Sequence, residues 1–369
     1  MNLSKSEVRS LAIYLPDLSG GGAERLHLRL APLFRAHGLD VTLLLDRRQG
    51  ALADQVPDGI KVVELNADRQ VKAVFKLAGY LRQAKPDVLI ANMEHMNVMA
   101  VLARLATRAR TRIIVTQHNA FSEQVKRPSL KHRVLPFLYR TILPFADEIV
   151  TVSAGVADDL ARHSGLSRDR MTVIYNGVVT EDFDARTAAG APTHPWQKTG
   201  LPVIAGMGRF VPQKDFSTLL QAFAIVAGQT EARLLLLGDG PMRAELEQLA
   251  STLGIADRIS MPGFVDNPLP DIKSAALFVL SSRFEGFGNV IAEALACGTP
   301  VVSTDCPHGP AEILENGRFG TLVPVGDAPA LAKAMLAALK TTPDRQALEQ
   351  RGRVFGTENC AAAYLELVA

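Results

Sequence analysis

The chain carries 369 residues, 47% hydrophobic and 6% aromatic, with a formal net charge of +2. That length suits two domains, each with its own core, and the near-balanced charge gives no reason to expect a nucleic-acid partner. Residues 1–9 are polar with no apolar h-region, and no apolar run approaches the roughly 18 residues of a spanning helix, so neither a secretory signal nor a transmembrane segment is expected.

In chain order, the first half alternates short apolar runs with helical patterns. Strands are predicted at 11–15, 41–45, 62–65, 88–91, 113–116, 148–152 and 171–174, with helices such as 23–37, 73–83 and 99–109 between them. Residues 184–200 (DARTAAGAPTHPWQKTG) are rich in Pro, Gly, Ala and Thr and read as an interdomain linker. A second series follows, with strands at 203–206, 233–237, 258–261, 277–280, 301–304 and 320–323. Strand and helix in repeated alternation mean a parallel sheet covered on both faces. The expected architecture is therefore α/β. Two Rossmann-like domains, 1–183 and 201–350, face each other across a central cleft with the linker between them. A last helical segment, 351–369, is expected to dock on the second domain or to cross back to the first.

The most informative stretch is Glu285-Gly-Phe-Gly-Asn-Val-Ile-Ala-Glu293. It follows a buried strand and leads into a helix, with Asn289 read as the N-cap and Gly298 and Pro300 as the stop. Ligands of open α/β sheets lie at the carboxyl ends of strands. A helix start there offers unpaired N–H groups to a phosphate. The two carboxylates suit sugar or ribose hydroxyls instead, since they would repel an anion. An ordinary helix with an acid in its first turn is the plain alternative.

Other strand ends carry further candidates, each with its own plain reading. Gly20-Gly21-Gly22 lets backbone approach an anion, yet lacks the dinucleotide spacing and equally suits a simple turn. Gly208-Arg209 and Lys214 offer two cations for a diphosphate, or a solvated loop. Gly238-Asp239-Gly240 and Gly263-Phe264-Val265 end two more strands, and His118 ends a strand of the first half. Their common placement at strand carboxyl ends is what raises them above turns.

Together these residues resemble the retaining glycosyltransferases of family 4, which have the GT-B fold. The likeness runs from Gly20-Gly-Gly-Ala-Glu-Arg25 through His118-Asn119, Tyr175-Asn176-Gly177-Val178, Gly208-Arg-Phe, Gln213-Lys-Asp and Leu237-Gly-Asp-Gly-Pro241 to the acid pair, and so covers nearly the whole chain. It implies a metal-independent hexosyltransferase without cofactor, whose donor is a nucleotide-diphosphate sugar, UDP-linked. Arg209 and Lys214 would hold the diphosphate, with Gly208 and Gly238 in the adjoining turns. N–H groups near Phe287, Gly288 and Asn289 would contact sugar or phosphate. Glu285 would accept from sugar hydroxyls, Glu293 from the ribose, and the backbone near Phe264 and Val265 would meet the base. Gly21 and Gly22 would lie against diphosphate or acceptor, and His118 would bond the donor sugar. Front-face attack, with the leaving phosphate taking the acceptor proton, is the usual proposal for such enzymes. Glu285 is accordingly not assigned as a nucleophile, because the two-carboxylate chemistry of hydrolases needs both acids at one bond. The only Asp-x-Asp, Asp182-Phe-Asp184, lies away from these loops.

Cys297, Cys306 and Cys360 lack metal-ligand spacing and cannot all pair internally, which favours a reducing compartment. The resemblance implies a glycan acceptor, on a lipid carrier, in bacterial polysaccharide, lipopolysaccharide or glycoprotein assembly. Residues 126–140 (KRPSLKHRVLPFLYR) set Lys126, Arg127, Lys131 and Arg133 among apolar side chains. Such a stretch rests on an anionic inner-leaflet surface, or buries its apolar side as an ordinary solvated helix. Pro128 and Pro136 are expected to keep it short. Cytoplasmic location, free or peripheral on the inner membrane, is the expectation. A UDP-sugar 2-epimerase of the same fold and a non-catalytic sugar-binding protein are the alternatives.

Overall fold

The computed structural model describes residues 8–67, 70–126, 130–189, 192 and 194–368. Its contacts divide the chain into two compact units, Met1–Gly177 with Thr357–Ala369, and Val178–Gly356.

The first unit is a seven-stranded parallel sheet. Its strands are β1 (Ser10–Leu15), β2 (Asp40–Leu45), β3 (Lys61–Glu64), β4 (Val88–Asn92), β5 (Arg112–Gln117), β6 (Glu148–Thr151) and β7 (Met171–Val173). They lie in the order β3-β2-β1-β4-β5-β6-β7. Helices cover both faces, so central strands read as continuous apolar runs and not as alternations. All five residues of β4 are buried. Successive residues of β1 still feed different cores. Leu11, Ile13 and Leu15 pack on one side, and Ala12 and Tyr14 on the other.

The second unit repeats the plan with six parallel strands, β8 (Val203–Met207), β9 (Arg233–Leu237), β10 (Ile259–Gly263), β11 (Leu277–Leu280), β12 (Val301–Thr304) and β13 (Thr321–Val323). Their order is β10-β9-β8-β11-β12-β13. Each sheet thus reverses its winding once, between β1 and β4 and between β8 and β11. Those switch points are where open α/β sheets take ligands.

The division of the chain differs from the sequence expectation. Residues 184–188 are not linker. Phe183–Ala188 is a helix whose Phe183 and Thr187 are buried one turn apart, and Asn267 Nδ2 donates to Arg186 O at 2.7 Å. A composition rich in Ala, Gly and Pro resembles a linker even where two well-spaced side chains anchor it; residues 190, 191 and 193 lie outside the described ones. The crossings instead fall near 177 and 356, where the Val178 and Val179 N–H groups both donate to Phe355 O, at 2.9 and 3.1 Å. The helix Thr357–Val368 packs on the first sheet through Cys360, Ala361, Tyr364 and Val368.

The helix Leu130–Ile142 also departs from expectation, running straight through Pro136. Proline removes one backbone hydrogen bond there, but buried Leu135 and Tyr139 on either side hold the helix to the core. Among the described residues no helix is long and apolar enough to cross a membrane.

Candidate active site

The loop after β8 opens at Gly208, whose φ of +155° a side chain would strain. Arg209 follows, exposed and without a side-chain partner among the described residues. A 3-10 turn, Pro212–Lys214, leads to Asp215, which takes the left-handed conformation and caps the helix Phe216–Ala227 by accepting from Thr218 N.

This turn is stapled to the loop after β11. Gln213 Nε2 donates to Phe284 O at 2.9 Å, and Arg283 N donates to Gln213 O at 2.8 Å. Ser281 Oγ donates to Lys214 O at 2.8 Å, and Arg283 Nε to Asp215 Oδ2 at 3.0 Å. The result is a fixed contact between two sequence-predicted residues: Lys214 Nζ lies 2.6 Å from Glu285 Oε1. Ser282 Oγ donates to the same oxygen at 2.6 Å. Glu285 is 7% exposed, so this is a largely buried carboxylate matched by one ammonium and one hydroxyl. An ammonium held this way is a preorganised positive charge.

Beyond Glu285 the loop is clamped by the segment after β12. Glu285 N donates to Pro307 O at 2.7 Å, and His308 N donates to Glu285 O at 3.0 Å. Burial, with Glu285 nearby, pushes the Cys306 thiol up to about 12, which makes Cys306 a packing residue and not a nucleophile. The helix cap lies one residue earlier than the sequence suggests. Gly288, with φ +103°, is the N-cap of Asn289–Ala296, no side chain caps it, and Asn289 is the first helical residue. Only a residue at ease with positive φ fits that turn, which gives Gly288 the position that composition alone assigned to Asn289. The Phe287 ring is buried edge-on against Phe355, centroids 5.3 Å apart. Glu293 is half-buried one turn along the helix.

The ends of β8, β9 and β10 meet at Gly238. Gly208 N donates to Leu237 O at 3.0 Å and Gly238 N to Gly263 O at 2.9 Å. A Cβ on Gly238 would come within 2.1 Å of Gly208 O, so only glycine allows this approach. Phe264 stands 71% exposed just past β10, and Val265 is half-buried. Arg243, which sequence reasoning missed, ties this corner together by donating to Asp239 Oδ1 at 2.9 Å and to Met261 O at 3.0 Å.

The candidates of the first unit take different surroundings. Gly21 is the N-cap of the helix Gly22–Ala36. The Glu24 carboxyl accepts from the backbone N–H groups of Gly21 and of Glu24 itself, and burial raises its pKa. This is half of a capping box, so a carboxylate already meets the helix start behind Gly21 and Gly22. His118 is half-buried. Its Nε2 lies 3.0 Å from Thr116 Oγ1 and 3.1 Å from Asn92 Oδ1. Burial, and then His27, push its imidazole down to about 3. His27 is fully buried, its ring edge-on to His118 at 5.8 Å, and burial pushes it down to about 4.

Of the membrane candidates, Lys126 pairs with Glu123 and Arg133 is exposed beside Val134 and Phe137. Arg127 and the side chain of Lys131 lie outside the described residues. Sequence reasoning gives no role to Asn92, Thr116, Asp215 and Ser282. Asp215 ahead of an apolar helical run was a readable N-cap signal. The others are marked only by distant contacts.

A family model described as Glycosyltransferase Family 4 matches residues 20–182, and one described as Glycosyl transferases group 1 matches residues 201–341. The chain is 32% identical over 359 residues to the lipopolysaccharide core biosynthesis glycosyltransferase LpsE of Rhizobium meliloti (strain 1021), spanning 95% of this chain and 96% of that protein. It is 25% identical over 356 residues, 94% of each chain, to the N-acetylgalactosamine-N,N'-diacetylbacillosaminyl-diphospho-undecaprenol 4-alpha-N-acetylgalactosaminyltransferase of Campylobacter jejuni. Among solved structures, Anabaena HepE in complex with UDP shares the fold, with a TM-score of 0.77 at 22% identity over 97% of this chain and 98% of that one. Two Rossmann-like parallel-sheet units with these loops define a glycosyltransferase of the GT-B class. The chain belongs to glycosyltransferase family 4, and neither the epimerase nor the passive-binder reading is favoured.

Proposed function

We propose that this enzyme is a retaining glycosyltransferase that moves a hexose or N-acetylhexosamine from a UDP-linked sugar to a glycan acceptor on a lipid carrier, in bacterial polysaccharide, lipopolysaccharide or glycoprotein assembly. The observation that carries the reading is the Lys214–Glu285 pair at 2.6 Å, at the carboxyl ends of the two strands that flank the switch point of the second sheet. The named relatives of Rhizobium and Campylobacter support the acceptor class, and the UDP complex of HepE supports the nucleotide.

In this reading the bond between the anomeric carbon and the diphosphate breaks, and its electron pair goes to the phosphate oxygen. The acceptor hydroxyl bonds to that carbon on the same face, and its proton passes to the departing phosphate. Lys214 and Arg209 meet the charge that accumulates there. Glu285 accepts from sugar hydroxyls and Glu293 from the ribose. The backbone at Gly288 and Asn289 meets sugar or phosphate, and the segment at Phe264 and Val265 meets the base. In this reading Lys214 and Arg209 take the part of a divalent ion, so no metal is required. Asp182 and Asp184, the one Asp-x-Asp, are engaged by Thr180 and Arg353. The exposed basic and apolar face of the helix Leu130–Ile142 rests on the anionic inner leaflet, which makes the enzyme a peripheral cytoplasmic protein.

Ligand-induced thermal stabilisation tests this with UDP-, GDP- and ADP-sugars, with and without EDTA. One UDP-sugar is expected to raise the midpoint regardless of EDTA, and proton NMR of the product is expected to show the donor's anomeric configuration. No stabilisation by any donor, stabilisation that EDTA abolishes, or an inverted product would each remove its part of the proposal.

A further inference from the structure

Asn92 ends β4, next to β1 at the switch point of the first sheet. It is fully buried, and its Nδ2 donates to Tyr14 O at 3.3 Å. A carbonyl only accepts, so the amide nitrogen must face Tyr14 and Oδ1 must face away. On that side Oδ1 receives the Thr116 hydroxyl at 2.7 Å and stands 3.1 Å from His118 Nε2. An amide oxygen cannot donate. A bare Nε2 at that distance would set lone pair against lone pair, so Nε2 carries the proton. Thr116 Oγ1, 3.0 Å from the same nitrogen, is a second acceptor for it.

His118 holds no second proton. Burial opposes its cationic form, as it opposes that of His27, whose Nδ1 is tied to Ala23 O at 2.9 Å. The titratable groups around it add no counter-charge in contact. Tyr364 stands beyond His27, with ring centroids 6.3 Å apart. Glu94 and Tyr139 bond the neighbouring Gln117 and not His118. Asp46 takes the Tyr14 hydroxyl. With one proton placed on Nε2, Nδ1 of His118 keeps a bare lone pair and has no partner among the described residues.

We propose that Asn92 is a positioning residue that locks His118 in its Nε2–H tautomer, so that His118 meets the sugar as a neutral hydrogen-bond acceptor through Nδ1. The ligand group it takes is therefore a hydroxyl or N–H donor, not a bare carbonyl or a phosphate oxygen. This rests on reading His118 as a sugar contact. Which nitrogen of a histidine is protonated is set by what the other one meets, and here a carbonyl two residues removed makes the choice. A site arranged to receive a hydroxyl discriminates strongly against a sugar that lacks it.

The test is long-range proton–nitrogen correlation NMR on enzyme labelled at histidine nitrogens, with His118 identified by its loss in His118→Gln. The expected spectrum is the neutral Nε2–H form from pH 8 down to about pH 5, given the burial that opposes charge. An Nδ1–H tautomer or an imidazolium at pH 7 overturns the proposal. Asn92→Asp replaces the amide oxygen with a carboxylate that favours the cation. It is expected to lower kcat/KM at pH 7 by about tenfold, the worth of one hydrogen bond, with recovery above pH 8. An activity profile unmoved by Asn92→Asp, in a folded variant, also overturns it. The wild-type spectrum decides even where that variant does not fold. It needs no donor, so loss of the sugar-binding reading in thermal-shift assays remains a separate result.

Discussion

Lys214 and Glu285 are each other's counter-charge, and that separates two properties a single substitution would mix. Lys214→Met leaves Glu285, 7% exposed, with the Ser282 hydroxyl as its one side-chain hydrogen bond among the described residues. Removing one partner of a buried pair costs several kcal/mol, because the other is stranded; the Lys214 side chain is 19% exposed, so about 2 kcal/mol is expected here. Glu285→Gln on top of it removes the stranded charge and should restore most of the lost stability. Turnover should not return, because the ammonium that meets the leaving phosphate is still missing. Urea unfolding and steady-state kinetics on both single variants and the double variant give the comparison. Turnover that recovers together with stability would make the pair a structural one. Sequence reasoning placed both residues at strand ends. It did not show that they touch, because 71 positions separate them and the contact depends on the staples from Gln213, Ser281 and Arg283. Asn92 and Thr116 were illegible for the same reason: strand-end Asn and Thr are ordinary until a fold sets them beside a histidine.

At the scale of elements, periodicity located all thirteen strands to within a residue or two, since buried parallel strands are unbroken apolar runs whose signal is local. What composition misjudged was punctuation. Pro136 is expected to keep its helix short and residues 184–200 to be linker, and at Pro136 and at 184–188 a few buried side chains outweigh the local preference. The helix Leu130–Ile142 is consequently long enough to present one continuous outer face, with Arg133, Val134, Phe137 and Arg140 exposed on it and Phe145, 53% exposed, just past its end. A buried large side chain gains about 2 kcal/mol from leaving water, and each basic residue near an anionic surface gains about 1 kcal/mol. Replacing Phe137 with Ser and Arg133 with Glu should therefore lower binding to vesicles containing phosphatidylglycerol at least tenfold. Thermal stability should hold, as both side chains are exposed. Co-sedimentation at two salt concentrations measures it. Equal binding by wild type and variant would return this helix to the ordinary solvated kind.

At the scale of the whole molecule, residues 8–177 and 357–368 share one unit. Residues 178–356 are completed before the helix Thr357–Val368 joins the first sheet. That helix is part of the first unit's core and not a decoration on it. Tyr364 and Val368 are 1% and 2% exposed and pack with Leu11, Ile13 and Phe34. The Arg112 guanidinium donates to the last carbonyls, Leu367 O at 2.7 Å and Val368 O at 2.9 Å, which closes a helix end that would otherwise leave carbonyls unmet. The docking of this segment is not legible in the sequence, because an apolar helical face does not say which sheet it covers. Ending the chain at Gly356 strips that burial. Tyr364 and Val368 alone are worth about 4 kcal/mol, a large share of the 5–15 kcal/mol that holds an ordinary domain together. The loss should fall on one unit only. Limited proteolysis with mass-spectrometric mapping is expected to find 178–356 as protected as in the full chain while cleavage spreads through 8–177. Stabilisation by a UDP-sugar should persist, since Arg209, Lys214, Glu285 and Glu293 all lie in the protected part. Unchanged protection of 8–177 would show that the last helix is dispensable to the first unit. Loss of protection across 178–356 would show that the two units do not fold independently.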